Sequence, residues 1–149
     1  MQKRIFEYKK RLEKIEELID EMLQRSKDGT IIIVEGKRDI IALRKLGVSG
    51  RVEAAAQKTQ LELSEKIAND GNDVIILTDW DRRGDILSLN LTTYLRDLGT
   101  EPDLRIRERL RSLVKKEIKD VESLYTHVVK LRNITGDAGI SHPAYRYEL

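Results

Sequence analysis

Two apolar, β-branched runs in this chain stop abruptly at acids and a glycine. One is Ile31-Ile32-Ile33-Val34, followed by Glu35-Gly36-Lys37-Arg38-Asp39. The other is Val74-Ile75-Ile76-Leu77-Thr78, followed by Asp79-Trp80-Asp81-Arg82-Arg83-Gly84-Asp85. Parallel strands covered on both faces read as continuous apolar runs of this kind. The carboxyl ends of such strands are where open α/β sheets place their ligand sites. Three or four carboxylates at one sheet edge cannot all stay ionised unless protons or a cation join them. All-oxygen donors favour a hard cation, which points to Mg²⁺.

The rest of the chain supplies the elements such a sheet needs. Apolar Ile5, Leu12, Ile15, Leu18, Ile19, Met22 and Leu23 recur at helical spacing over residues 1–27. This helix either covers the sheet or dimerises through its stripe. Strands are expected over 30–35, 51–55 and 73–78, with a fourth, short strand at Leu104-Arg105-Ile106 after Pro102. Helices are expected at 39–46, 60–69, with Thr59 as cap, and 85–98. A final helical stretch reaches about residue 133, interrupted near Ile118, and the tail from Gly136 to Leu149 shows no periodicity. A helix followed by β-α-β-α-β-α-β predicts an α/β domain with a central, mostly parallel four-stranded sheet flanked by helices.

Composition narrows the chemistry. The chain has 149 residues, which suits one domain, and no cysteine, which excludes disulfides, thiolate catalysis and cysteine-held metals. No apolar stretch reaches the roughly 18 residues that span a membrane, and the N-terminus lacks an apolar signal core, so a cytoplasmic protein is expected. Charge is unevenly spread. Residues 31–103 carry 10 Lys/Arg against 13 Asp/Glu, whereas residues 104–132 carry 9 against 4. An acidic centre beside a basic flank (Arg105, Arg107, Arg109, Arg111, Lys115, Lys116, Lys119) suits a polyphosphate substrate. That run is either a phosphate track or a solvated helix face.

Taken together and in this order, Glu35-Gly36 with Asp39, and Asp79-Trp80-Asp81 with Gly84, resemble the Toprim domain. That domain is shared by topoisomerases, bacterial-type primases, ribosomal-RNA maturation nucleases, and recombination and overcoming-lysogeny nucleases. Ile118-Lys119-Asp120-Val121-Glu122 resembles the end of the domain in the maturation nucleases. The resemblance covers roughly residues 29–125. It leaves 1–28 as an N-terminal helix packing on the domain and 126–149 as a C-terminal helix end and tail. The chain looks most like the small single-domain archaeal Toprim proteins. Several family members have a third acid where this chain has Arg83; Asp85 lies two residues later. One or two metal ions are therefore compatible, with Mn²⁺ able to substitute for Mg²⁺. Strand passage and primer synthesis need companion domains for which this chain has no room.

Each candidate residue has a functional and a plain reading. Asp79 and Asp81 would hold the metal, or serve turn chemistry. Glu35 would be a further ligand or the acid/base, or a carboxylate near a helix N-terminus. Asp39 is a cap or an indirect aid to Glu35, and Asp85 a helix-start carboxylate or a ligand. Gly36 and Gly84 would let phosphate approach, or satisfy turn torsions. Lys37, Arg38, Arg82 and Arg83 would clamp phosphate, as would Arg105, Arg107 and Arg109, or remain surface charge. Trp80 stacks on a base or is buried. His127 and His142 are isolated and are read as neither ligand. The resemblance implies a Mg²⁺-dependent protein that cleaves or processes nucleic acid, RNA favoured over DNA, with protein partners in an RNA-processing or replication assembly. A catalytically silent adaptor and a nucleotide sensor are the rivals.

Overall fold

The apolar runs become the three strands that organise the molecule. The computed structural model describes residues 2–136; the tail beyond Gly136 and His142 lie outside the described residues. β1 (Ile31–Val34) is central, with β2 (Val52–Ala54) on one side and β3 (Val74–Ile76) on the other, both parallel to it. Ile32 pairs with Val52 and with Ile75. All four residues of β1 are buried. Ile32, Val34, Ile75 and Leu77 face one core, shared with helices α1 (Gln2–Lys27), α2 (Lys37–Leu46), α5 (Arg105–Val114) and α6 (Leu124–Thr135). Ile31, Ile33, Val74 and Ile76 face the other, shared with α3 (Gln60–Asp70) and α4 (Arg82–Asp97). Helices on both faces explain why neither run alternates.

The α1 stripe covers the core. Leu12, Ile15, Leu18, Ile19 and Met22 are buried, and the helix packs along α6 and α5. Burying one such side chain is worth about 1.5–3 kcal/mol, so this row outweighs what helix propensity alone supplies. Among the described residues no helix is long and apolar enough to cross a membrane.

The sheet has three strands, not the expected four. Instead of a strand at residues 104–106, a single parallel bridge joins Ile75 and Asp103. The Asp103 amide donates to the Val74 carbonyl at 2.8 Å, and the Ile76 amide donates to the Asp103 carbonyl at 3.1 Å. Asp103 then turns the chain: its Oδ1 accepts from the Arg105 amide at 2.7 Å, where α5 begins. The alternation Leu104-Arg105-Ile106 suggests a strand, but Ile106, Leu110 and Val114 recur every fourth residue and are all buried. Helical burial of three apolar side chains outweighs a three-residue edge strand.

Two helices start earlier than the spacing predicts, α2 at Lys37 and α4 at Arg82. Both therefore begin within two residues of the strand-end acids Glu35 and Asp81. The interruption near Ile118 is a non-helical segment, residues 115–123, between α5 and α6.

Candidate functional site

Strand order fixes where a site forms. From β1 the chain crosses one face through α2 to reach β2, then returns across the other face through α3 to reach β3. Beyond the ends of β1 and β3 the connections run to opposite faces and leave a crevice, the switch point at which open α/β sheets bind ligands. The Leu77 amide still donates to the Ile33 carbonyl at 2.8 Å. Past that bond the backbones separate, with Glu35 on one lip and Asp79 and Asp81 on the other.

The carboxyl groups of Glu35 and Asp79 lie within hydrogen-bonding reach of each other, an arrangement two bare carboxylates cannot hold. Burial, reinforced by the charge of Glu35, pushes Asp79 up to about 7, even though its Oδ1 accepts from the Val121 amide at 2.9 Å. Burial also raises Glu35, and the charges of Asp81 and Asp39 add to this; Arg83 and the contact with Asp79 pull the other way. Glu35 Oε1 is buried with no hydrogen-bond partner. Asp39 is buried and raised chiefly by burial, while its Oδ2 accepts from the Gly36 amide at 3.0 Å. It therefore ties the turn after Glu35 to the start of α2. Asp81 caps α4, its Oδ1 accepting from the Gly84 amide at 2.8 Å.

This donor set fits a hard divalent ion in one respect and leaves it incomplete in another. A buried carboxylate oxygen without a partner, beside a carboxyl held near neutrality, is a pair that a cation would satisfy. Among the described residues, however, no three His, Cys, Asp or Glu side chains are gathered closely enough to form a cage. Mg²⁺ suits such a half-built site, because it keeps several waters and commonly takes one or two protein carboxylates plus substrate phosphate. Glu35, Asp79 and Asp81 are the residues that would hold it.

A rigid frame supports this edge. Arg107 of α5 is 2% exposed. Its Nε donates to the Thr78 carbonyl at 3.0 Å, and its Nη2 donates to the Asp79 carbonyl at 2.6 Å and to Asp85 Oδ1 at 2.7 Å. Arg111 Nη1 donates to the same Asp85 oxygen at 2.9 Å. These two guanidiniums, Arg107 foremost, hold Asp85 below the usual carboxylate range. Asp85 is thus the counter-ion of the frame, and Arg107 is occupied with backbone rather than open to phosphate. Thr78 Oγ1 donates to the Gly84 carbonyl at 2.8 Å. A Cβ on Gly84 would lie 1.7 Å from the Asp79 carbonyl oxygen, so glycine is needed here for the close approach of α4 to that strand end. At Gly36 the corresponding Cβ would meet nothing within 4 Å.

Trp80 is buried, which removes it from base stacking. Its Nε1 donates to the Ile118 carbonyl at 2.8 Å and its amide to the Lys119 carbonyl at 3.1 Å. These bonds anchor the 115–123 segment, which delivers the Val121 amide to Asp79. Sequence resemblance singled out this segment, but not its role as donor. His127 is buried, and burial lowers its pKa.

The cations divide into three groups. Lys37, Arg38, Arg82 and Arg83 are exposed around the crevice, and Arg38 approaches Glu122 at 3.8 Å. Arg105 is paired with Glu21 and Asp103, and Arg109 lines a groove against α1 with Lys14 and Glu17. Lys58, which the sequence did not single out, lines an open cleft of about 510 Å³ with Glu35, Arg83, Gln60 and Thr59, the expected cap of α3, whose Oγ1 accepts from the Glu62 amide at 3.1 Å. The one available signal for Lys58 was its position just beyond β2, a strand too short and mixed to advertise its end.

Comparison with known proteins identifies the family. Residues 30–110 match the Toprim domain family. A UPF0292 protein of Methanosarcina barkeri is 57% identical over 129 residues, covering 87% of this chain and 90% of that one. A UPF0292 protein of Pyrococcus horikoshii is 39% identical over 121 residues, covering 80% and 87%. A solved structure of an Aquifex aeolicus protein superposes with a TM-score of 0.64 at 27% identity, over 73% of this chain and 96% of that one. With its acids at the β1 and β3 ends and this match across its sheet, the chain belongs to the Toprim family, within the group of small archaeal UPF0292 proteins.

Proposed function

We propose that this protein is a Mg²⁺-dependent enzyme that cleaves phosphodiester bonds in nucleic acid, with RNA the favoured substrate. The observation that carries the reading is the Glu35–Asp79 pair at the switch point, with Glu35 Oε1 buried and unpartnered. Toprim domains generally bind divalent metals and belong to proteins that act on nucleic acid, which supports the coarser part of the proposal. The preference for RNA rests on the likeness of residues 118–122 to the maturation nucleases.

When bound, the metal would neutralise phosphate charge and polarise the scissile bond. Asp79 and Asp81, beyond the end of β3, would hold the ion. Glu35, opposite, is a further ligand or the group that exchanges a proton with the attacking or leaving oxygen. Arg107 fixes the carbonyls of Thr78 and Asp79, so the carboxylates meet the substrate without reorganising. Lys37, Arg38, Arg82 and Arg83 surround the crevice as phosphate contacts.

The test is incubation of labelled structured RNA and single-stranded DNA with Mg²⁺, Mn²⁺ or EDTA, beside an Asp79→Asn/Asp81→Asn variant. Metal-dependent cleavage absent from the variant is the expected result. One observation favours a second reading, a catalytically silent nucleic-acid-binding adaptor within an RNA-processing or replication assembly. Arg83 stands where the Toprim resemblance implies a third acid in several family members, and no three-acid cage is formed among the described residues. Binding that survives EDTA, with no product under any metal, would select the adaptor.

A further inference from the structure

A second cluster of positive charge adjoins the acids on the side of the crevice away from α5, beyond β2. Glu53 of β2 is approached by three cations: Arg51 Nε at 3.2 Å, Lys66 Nζ at 3.6 Å and Lys58 Nζ at 3.9 Å. Lys58 and Lys66 crowd each other closely enough that Lys66 lowers the pKa of Lys58. Two ammonium groups share one carboxylate, so an incoming anion relieves repulsion instead of displacing a good ion pair.

This cluster is fixed mechanically to the acids. The Ala56 amide donates to the Glu35 carbonyl at 2.9 Å, so the turn carrying Lys58 is stitched to the end of β1. Between them opens the cleft of about 510 Å³, with Glu35 at its inner end and Lys58 and Arg83 on its walls. That volume lies within the range of pockets that enclose a small organic ligand. Beside polar Thr59 and Gln60, part of its wall is apolar: Ala55, Ala56, Leu87 and Ile86, which is 51% exposed. A site for free phosphate has no use for such a wall, whereas a nucleoside presents an apolar face to it.

We infer that this cleft holds the nucleotide adjacent to the scissile phosphodiester of a single-stranded polynucleotide. Its phosphate lies between Lys58 and Arg83, and its sugar and base lie over Ala56 and Ile86. The strand therefore leaves the acids toward β2 and α3, not along α5. An unpaired strand is specified because bases in a duplex already stack on one another and leave no face free for Ile86. The inference rests on the nucleic-acid reading above and adds the path and state of the strand.

The test measures binding of labelled single-stranded RNA and DNA by fluorescence anisotropy across a salt series, with Ca²⁺ replacing Mg²⁺. Wild type is compared with Lys58→Gln/Arg83→Gln, Ile86→Ser, Arg109→Gln and, as a charge control on α6, Lys130→Gln. Lys58 and Arg83 share one phosphate, so losing it should flatten the slope of log affinity against log salt by roughly 0.7 on a single strand. Affinity should fall about tenfold or more in the double variant. Ile86→Ser should weaken the oligonucleotide while leaving competition by inorganic tripolyphosphate unchanged, and Lys130→Gln should match wild type. An unchanged slope in the double variant, a loss centred on Arg109→Gln, or equal weakening of tripolyphosphate by Ile86→Ser overturns the inference. Cleavage by wild type with an unchanged slope in the double variant overturns the path alone. The expected slope change without cleavage upholds the path and overturns the enzyme reading. No binding of any polynucleotide overturns both.

Discussion

Arg107 Nη2 donates to the carbonyl oxygen of Asp79 at 2.6 Å, so a buried cation on α5 holds the backbone of the principal candidate metal ligand. The same guanidinium reaches the Thr78 carbonyl and Asp85, and no shorter or unbranched side chain can make all three bonds. Arg107→Met should therefore destabilise the fold by about 3–5 kcal/mol, the usual cost of leaving buried ionic partners uncompensated. Arg107→Lys should retain the fold at a smaller cost but lose activity and divalent-ion affinity. Denaturant unfolding beside metal titration of the same variants checks both; wild-type metal affinity in Arg107→Lys would remove the positioning role.

Part of this arrangement is legible in the sequence. Glu35, Asp79 and Asp81 stand out because a doubly covered strand leaves an unbroken apolar run, and the residue that ends the run marks the sheet edge. Arg107 is not legible. In sequence it is one of four alternating arginines, and its role depends on α5 folding back beside β3. The same alternation suggests a strand at Leu104-Arg105-Ile106, where a local pattern of two competes with a buried helical period set by Leu110 and Val114. Lys58 escapes notice because β2 is only three residues long. Trp80, set between two acids, is equally compatible with a stacking platform and a structural anchor until Ile118 and Lys119 are seen to accept its two N–H groups.

The two site glycines should separate on substitution. Gly84→Ala places a methyl 1.7 Å from the Asp79 carbonyl oxygen, in contact with backbone that cannot yield without moving α4. A loss of about 2–4 kcal/mol is expected, in the range of severe overpacking. Gly36→Ala meets nothing within 4 Å and has an extended φ of −145°, so stability should change by less than about 0.5 kcal/mol. If phosphate approaches there, Gly36→Ala should still lower activity. Thermal melts and cleavage rates of the two variants make the comparison.

Stability without metal should fall as pH rises. Asp79 is held at about 7 in the fold, above the ordinary carboxylate value, so the folded state binds its proton more tightly than the unfolded chain does. Such a group contributes most below the unfolded pKa, near 4, and its contribution is lost as pH climbs toward 7. Glu35 and Asp39 are raised in the same direction. In EDTA the melting temperature should therefore decline from pH 5 to pH 8, and Asp79→Asn should flatten that decline. Mg²⁺ should restore stability more at pH 8 than at pH 5, because it competes with the proton at the lower pH. A melting temperature in EDTA that rises over this interval, equally in wild type and Asp79→Asn, would contradict the shared-proton account.

Glu35→Gln should lower turnover far more than strand affinity. The amide keeps the shape of the side chain but neither binds a cation as well nor exchanges a proton, whereas the cations that hold the strand remain. A loss of about 100-fold or more in turnover with affinity within about threefold is expected. Parallel losses in both would make Glu35 a strand contact instead.

The most direct measurement is Mn²⁺ binding, followed by calorimetry or by the paramagnetic signal of the free ion, in wild type and in Asp79→Asn/Asp81→Asn at pH 8. One or two ions bound per chain in wild type and none in the variant is the result expected if the β1–β3 crevice is a metal centre. Mn²⁺ binding of equal stoichiometry and affinity in both proteins, or no binding in either, would contradict it.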